Sequence, residues 1–179
     1  MNDLLTHRRE TVSALLGDYP AYDGNAYPAM PHEYWMGAAL TLAKQAAIEG
    51  EVPVGCVIVR RNAILTADYN GRETFKNAAY HAETAAIAQA CEILHGWRLT
   101  ECTLYVTLEP CPMCAGTIVN ARVPAVVIGA KDAKAGALGS LLNFNAYPLN
   151  HKPAVTFGVM ENECRAVMRE FFASRRKQP

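Results

Sequence analysis

The chain has 179 residues, 51% of them hydrophobic, with 17 Lys+Arg against 17 Asp+Glu and a formal net charge of zero. This profile excludes a disordered tail, a collagen and a coiled coil, and the length suits one domain burying roughly 70% of the surface its unfolded chain exposes. It also lacks the surplus of basic charge that drives nonspecific phosphate binding. The one basic cluster, Arg169, Arg175, Arg176 and Lys177, lies at the C-terminus, where its plain reading is a solvated helix end.

Residues 4–16 carry apolar letters at Leu4, Leu5, Val12, Leu15 and Leu16, a weak helical stripe that Gly17 can close. Residues 19–31 hold three prolines, three tyrosines and Gly24 without a sustained period, so they read as a linker. The expected division is an N-terminal extension over 1–30, helix plus linker, and one domain over 31–179. The start has no apolar stretch of signal-peptide length, and no run approaches the roughly 18 residues of a membrane span. The expectation is a soluble, cytoplasmic protein whose six cysteines sit in a reducing compartment.

From His32 to Ile48 the apolar letters follow helical spacing, with Gly50 placed to end the helix. Residues 54–59 and 63–69 are apolar or β-branched runs separated by Arg60, Arg61 and Asn62, which predicts a hairpin with both strands mostly buried. Residues 70–80 read as a polar loop, 81–94 as an Ala-rich helix and 103–108 as a third strand. A helix from Pro112 to about Ala121, a strand over 125–130 and a short helix or turn through Leu142 follow. Residues 155–159 are a candidate fifth strand and 162–175 a closing helix. Strands alternating with helices predict a three-layer α/β/α sandwich, a mixed five-stranded sheet with helices on both faces and its later strands parallel. Ligands of such sheets bind off the strand ends, on loops leading into helices.

Two such loops carry chemistry. One reads His81-Ala82-Glu83, the other Pro110-Cys111-Pro112-Met113-Cys114. Cysteines at i and i+3 of a helix start lie on neighbouring sides of its axis, where free N–H groups favour thiolates. One imidazole and two thiolates suit tetrahedral zinc, with a fourth position left for water. Zinc lowers the pKa of such a water to about 7. Glu83 is then the candidate to move protons between that water and a leaving group. Residues two apart on a helix point roughly 200° away from each other, so the set converges only if His81 sits at the helix mouth. The other histidines do not qualify: His32 is adjacent to Glu33, and His7, His95 and His151 have no acid two residues on. The remaining cysteines, Cys56, Cys91, Cys102 and Cys164, read as small core residues.

The paired H-x-E and P-C-x-x-C motifs are the signature of zinc-dependent nucleobase deaminases. Around them the chain resembles the bacterial tRNA-specific adenosine deaminases of the cytidine/deoxycytidylate deaminase superfamily. The resemblance spans about residues 32–177 and is carried by His32-Glu33-Tyr34-Trp35-Met36, Glu51-Val52-Pro53-Val54-Gly55 and Leu104-Tyr105-Val106-Thr107-Leu108-Glu109-Pro110-Cys111. Gly129-Ala130-Lys131-Asp132-Ala133-Lys134, Asn150-His151, Glu163-Cys164 and Phe171-Phe172 continue it.

It implies a cytidine deaminase-like fold and hydrolytic conversion of adenosine to inosine at wobble position 34 of a tRNA anticodon. One Zn2+ per subunit would be held by His81, Cys111 and Cys114, with Glu83 as proton shuttle. The implied partners are the anticodon loop and a second copy in a homodimer, and Phe171-Phe172 with the basic tail match an RNA-facing helix. Asn70 matches a position that contacts the inserted nucleotide, Val54 and Leu108 match apolar pocket walls, and Asp132 matches the substrate loop after the fourth strand. Their plainer readings are a turn asparagine, two buried strand residues and a helix N-cap. The loop before His81, Thr74-Phe75-Lys76-Asn77-Ala78-Ala79-Tyr80, departs from the family in lacking Asp-Pro and in placing a bulky Tyr80 beside the ligand.

Three other readings stay open at the level of sequence. A deaminase of a free base or nucleoside, of guanine or cytosine type, would share the metal site. A thiol oxidoreductase would use Cys111 and Cys114 but leaves His81 and Glu83 without a role. A catalytically silent RNA-binding subunit with structural zinc leaves Glu83 unexplained.

Overall fold

Residues 2–176 are described by the structure, a computed structural model; Lys177 of the basic cluster lies outside the described residues. The β-branched runs form β1 (Gly55–Arg60) and β2 (Ala63–Tyr69), an antiparallel pair in which Arg60 faces Ala63. Between them Arg61 and Asn62 have φ of 52° and 59°. Two successive left-handed residues are what a type I′ hairpin turn requires. Further on come β3 (Cys102–Leu108), β4 (Ala125–Ala130) and β5 (Ala154–Phe157). The sheet order is β2-β1-β3-β4-β5, with β1 antiparallel to both neighbours and β3, β4 and β5 mutually parallel.

The strands alternate between two cores, as the period of two dictates. Cys56, Ile58, Leu104, Val106, Val126 and Ile128 face one side, together with Ala82, Ala86, Ala115 and Ile118. Those last four belong to α4 (Ala82–Ile93) and α5 (Pro112–Asn120). Val57, Val59, Tyr105 and Val127 face the other side, under α2 (His32–Ile48) and α6 (Glu161–Arg175). The result is the expected α/β/α sandwich. Cys56, Cys102 and Cys164 are buried in it as expected, whereas Cys91 is only half-buried.

The structure departs from the sequence expectations in several local ways. Residues 70–80 are not all loop, because α3 (Arg72–Phe75) forms one short turn of helix there. The expected short helix or turn through Leu142 is a series of turns leading to a 3₁₀ turn at Phe144–Ala146, so Asp132 is not the helix N-cap of its plainer reading. The fifth strand ends at Phe157, where Gly158 at φ +85° turns the chain into α6.

The first segment folds back on the domain. It contains α1 (Asn2–Leu15), and the linker beyond it pairs Ala21 with Ile64 in a parallel bridge along the outer edge of β2. Pairing of this kind covers a sheet edge that would otherwise be open to association. Among the described residues no helix is long and apolar enough to cross a membrane.

At Gly55, β1 and α2 are in backbone contact. A Cβ there would overlap the carbonyl oxygen of Ala39 and lie 2.8 Å from the amide nitrogen of Ala43. Gly55→Ala is expected to destabilise the fold by ~3 kcal/mol through overpacking. A denaturant midpoint within error of wild type, at unchanged m, would contradict this.

Candidate metal centre and active site

Because β2 runs parallel to β3, the C-terminal ends of β2, β3, β4 and β5 share one edge of the sheet. The loops leaving that edge carry the motif residues. His81 is the N-cap of α4, with φ −85° and ψ 155°, and Cys111 is the N-cap of α5, with φ −70° and ψ 172°. An extended N-cap turns its side chain over the helix mouth. That resolves the 200° objection between His81 and Glu83. The cap is held by Thr84, whose hydroxyl accepts the His81 backbone N–H at 3.2 Å. Pro112 at the first helical position costs α5 no hydrogen bond there.

The Sγ atoms of Cys111 and Cys114 lie 3.7 and 3.5 Å from His81 Nδ1, and all three donor atoms fall within 4.8 Å of one another. A tetrahedral ion with Zn–S of about 2.3 Å and Zn–N of about 2.0 Å separates its nitrogen and sulfur ligands by roughly 3.6 Å. Donor set and spacing both fit zinc. Among the groups themselves, the Cys111 thiol is pulled down to about 4, first by a hydrogen bond from Cys114 and also by the His81 ring. Cys114 is pushed up by donating to Cys111 and by burial, and the His81 ring is pushed up first by its own hydrogen bond to Cys111. The pair thus presents one ready thiolate. Glu83 is buried, and burial pushes its carboxyl above the usual carboxylate range.

A cavity of about 150 Å³ opens beside these groups. His81, Glu83, Cys111, Asn70, Val54, Leu108 and Asp132 all line it, while Cys114 is buried behind. Asn70 donates through Nδ2 to Glu51 at 3.2 Å. Asp132 caps a turn rather than a helix: Oδ1 accepts from Lys134 N–H at 2.8 Å and Ala135 N–H at 3.3 Å.

Two buried carboxylates that sequence reasoning left without a role hold the walls of the cavity. Glu51 accepts from the backbone N–H of Thr74 at 2.6 Å and its hydroxyl at 2.9 Å, besides Asn70. Glu109 accepts the N–H groups of Asp132, Leu138 and Ser140 at 3.0–3.1 Å and the Ser140 hydroxyl. Their signal in the sequence was acidity inside apolar context, Glu109 directly after a buried strand. Glu109→Ala strands up to four donors, so a loss of about 3 kcal/mol is expected. Faster amide exchange over residues 131–140 should accompany it; unaltered exchange there would refute the role.

Residues 30–176 match the family model described as MafB19-like deaminase. A tRNA-specific adenosine deaminase of Bacillus subtilis (strain 168) is 46% identical over 147 residues, covering 82% of this chain and 91% of that protein. A solved structure from a study of A-to-I editing by tRNA:A34 deaminases at the wobble position superposes with TM-score 0.73 at 38% identity, covering 75% of this chain and 98% of that one. The X-ray structure of a guanine deaminase from Bacillus subtilis is 32% identical with TM-score 0.56, over 82% of this chain and 95% of that one.

Proposed function

The chain belongs to the deaminase family that includes the tRNA-specific adenosine deaminases, and on that premise we propose that it converts adenosine to inosine at position 34 of a tRNA anticodon. The observation that carries the reading is the convergence of His81, Cys111, Cys114 and Glu83 on one small cavity. At about 150 Å³ it is smaller than the ~300 Å³ and more of an ordinary ligand cleft. A flat base fits inside while ribose and phosphates stay outside, which requires a nucleotide already splayed from its stack.

In this reading His81 Nδ1 and the two Sγ atoms hold one zinc ion. Bound there, zinc supplies a water that ionises near neutral pH. Glu83 accepts the first proton as water adds to C6 and gives it to the ring nitrogen, then takes the second proton from the hydroxyl now on C6 and gives it to the departing amino group. Adenosine and water thereby yield inosine and ammonia, and the carboxylate ends as it began. Burial raises its proton affinity above that of an ordinary carboxylate, the direction a group that both takes and gives protons needs. Val54 and Leu108 hold the faces of the base, Asn70 offers its carbonyl oxygen as acceptor, and Asp132 shapes the rim.

We assign residues 31–179 as the catalytic domain and 1–30 as its extension. For the second copy we assign the large apolar residues left exposed at the start of α5 and over 141–149, namely Met113, Leu141, Leu142, Tyr147 and Leu149. RNA is placed along the groove where Phe171, Phe172 and Arg175 meet Glu49, Val52, Asn70 and Arg72, which runs into the same pocket edge. A reducing cytoplasm suits the thiol ligands.

The test incubates purified, zinc-loaded protein with an adenosine-34 anticodon stem-loop and, separately, with free adenosine, guanine and cytidine. Inosine in the stem-loop and no turnover of the free compounds is the expected result. Turnover of free guanine with the RNA untouched would instead assign the chain the activity named for the 32%-identical relative.

A further inference from the structure

Among the described side chains of α1, Arg8 alone is buried. Burying a guanidinium is costly unless every donor finds an acceptor. Here Nε donates to Asp68 Oδ1 at 2.9 Å and Nη1 to Glu49 Oε2 at 2.9 Å. Nη2 bridges two successive main-chain oxygens, Tyr69 O at 2.6 Å and Asn70 O at 2.9 Å. The guanidinium carbon lies over the Tyr69 ring, 3.2 Å from its centroid.

These contacts fall where β2 leaves the sheet, on the residues that carry and flank Asn70. Beyond them the chain loops out and returns, with Gly71 N–H donating to Tyr80 O at 3.1 Å, immediately before His81. Phe75 and Tyr80 stack across that loop with ring centroids 4.1 Å apart, and the Tyr80 hydroxyl donates to Asp68, the same carboxylate that Arg8 holds. Gly71 has φ −146°, so its backbone does not call for glycine. Space does: a Cβ there would lie 2.7 Å from Arg8 Nη2, 2.8 Å from Phe75 Cδ2 and 3.0 Å from Tyr80 Cδ1. The guanidinium occupies volume beside Gly71 that a side chain would need.

We propose that Arg8 is a positioning residue of the base pocket. The N-terminal extension sends one guanidinium behind the pocket wall to hold the Asn70 main chain from outside, while Glu51 holds the Asn70 side chain from inside. The same guanidinium braces the loop that delivers His81. The inference rests on the reading that Asn70 meets the base. A fork of donors is needed, because no other side chain reaches two carboxylates and two carbonyl oxygens at once.

The experiment compares the full-length wild type with Arg8→Ala, Arg8→Lys, Gly71→Ala and the double variant. It reads kcat and KM on the stem-loop per folded, zinc-loaded molecule, and amide exchange along the chain. Arg8→Ala should lower kcat/KM at least ~10-fold at unchanged zinc content, since small misplacements of a positioning group cost that much. Exchange should quicken over residues 70–81 and stay slow in β1 and β3. Arg8→Lys should recover only part of the loss. Gly71→Ala should reproduce it from the opposite side, and should cost less in the Arg8→Ala background, where space has been freed.

Arg8→Ala within twofold of wild type per zinc-loaded molecule, or with exchange over 70–81 unaltered, overturns the proposal. If the wild type itself leaves the stem-loop untouched, the substrate reading fails. The exchange data then decide on Arg8: quickening confined to 70–81 upholds its bracing of the loop, and any other pattern overturns it.

Discussion

Glu83→Gln is expected to lower turnover of an adenosine-34 stem-loop by at least ~10³-fold while the protein keeps one zinc per chain. General acid–base catalysis by one group contributes typically 10²–10⁴-fold, and this carboxylate is asked to move protons on both sides of the addition. Glutamine has nearly the same shape but neither accepts nor releases a proton at working pH. Glu83 is buried and burial already disfavours its charge, so the neutral amide should be tolerated and the denaturation midpoint should not fall. Stability, zinc content and single-turnover rate measured on one preparation separate this role from a structural one. Turnover above a tenth of wild type would remove Glu83 as the proton carrier.

Stripping the protein with a chelator is expected to take inosine formation below detection, and stoichiometric zinc to restore it. Three donors lie within 4.8 Å of one another, and a carboxylate alone is too weak a base to ionise a water whose pKa is not lowered by a cation. The thermal midpoint should fall with the metal and return with it, since an ion that binds only the folded state stabilises that state. The sandwich itself should persist, because both cores are closed by apolar burial across the whole sheet rather than by the three donor groups. A thiol oxidoreductase would show the reverse pattern, surviving the chelator and failing on Cys111→Ser. Undiminished turnover in metal-free protein would exclude the proposed chemistry.

The elements were largely readable along the chain. The two apolar, β-branched runs of the hairpin, the strand after the third helical stretch and the closing helix all lie within a residue or two of where the sequence pattern places them. So were the four chemical residues, because H-x-E and C-x-x-C are local patterns and each sits at the start of a helix. What stayed hidden were the buried polar anchors. Glu51, Glu109 and Arg8 each bind groups between 19 and 62 positions away, and nothing in a neighbouring letter signals such a partner. Asp132 shows the same limit from the other side, because its capping role could be read but not whether a helix or a turn would follow.

The sequence by itself determined the layered fold and marked His81, Glu83, Cys111 and Cys114 as the candidate site, since these depend on residue type and on spacings shorter than one element. Only the tertiary structure decided that His81 and Glu83 could converge, which carboxylates hold the pocket walls, and that Arg8 of α1 reaches the main chain of Asn70. A hydrogen bond needs its partners within about 3 Å, and only the folded sheet and its crossovers bring Arg8 to Asp68, sixty residues away.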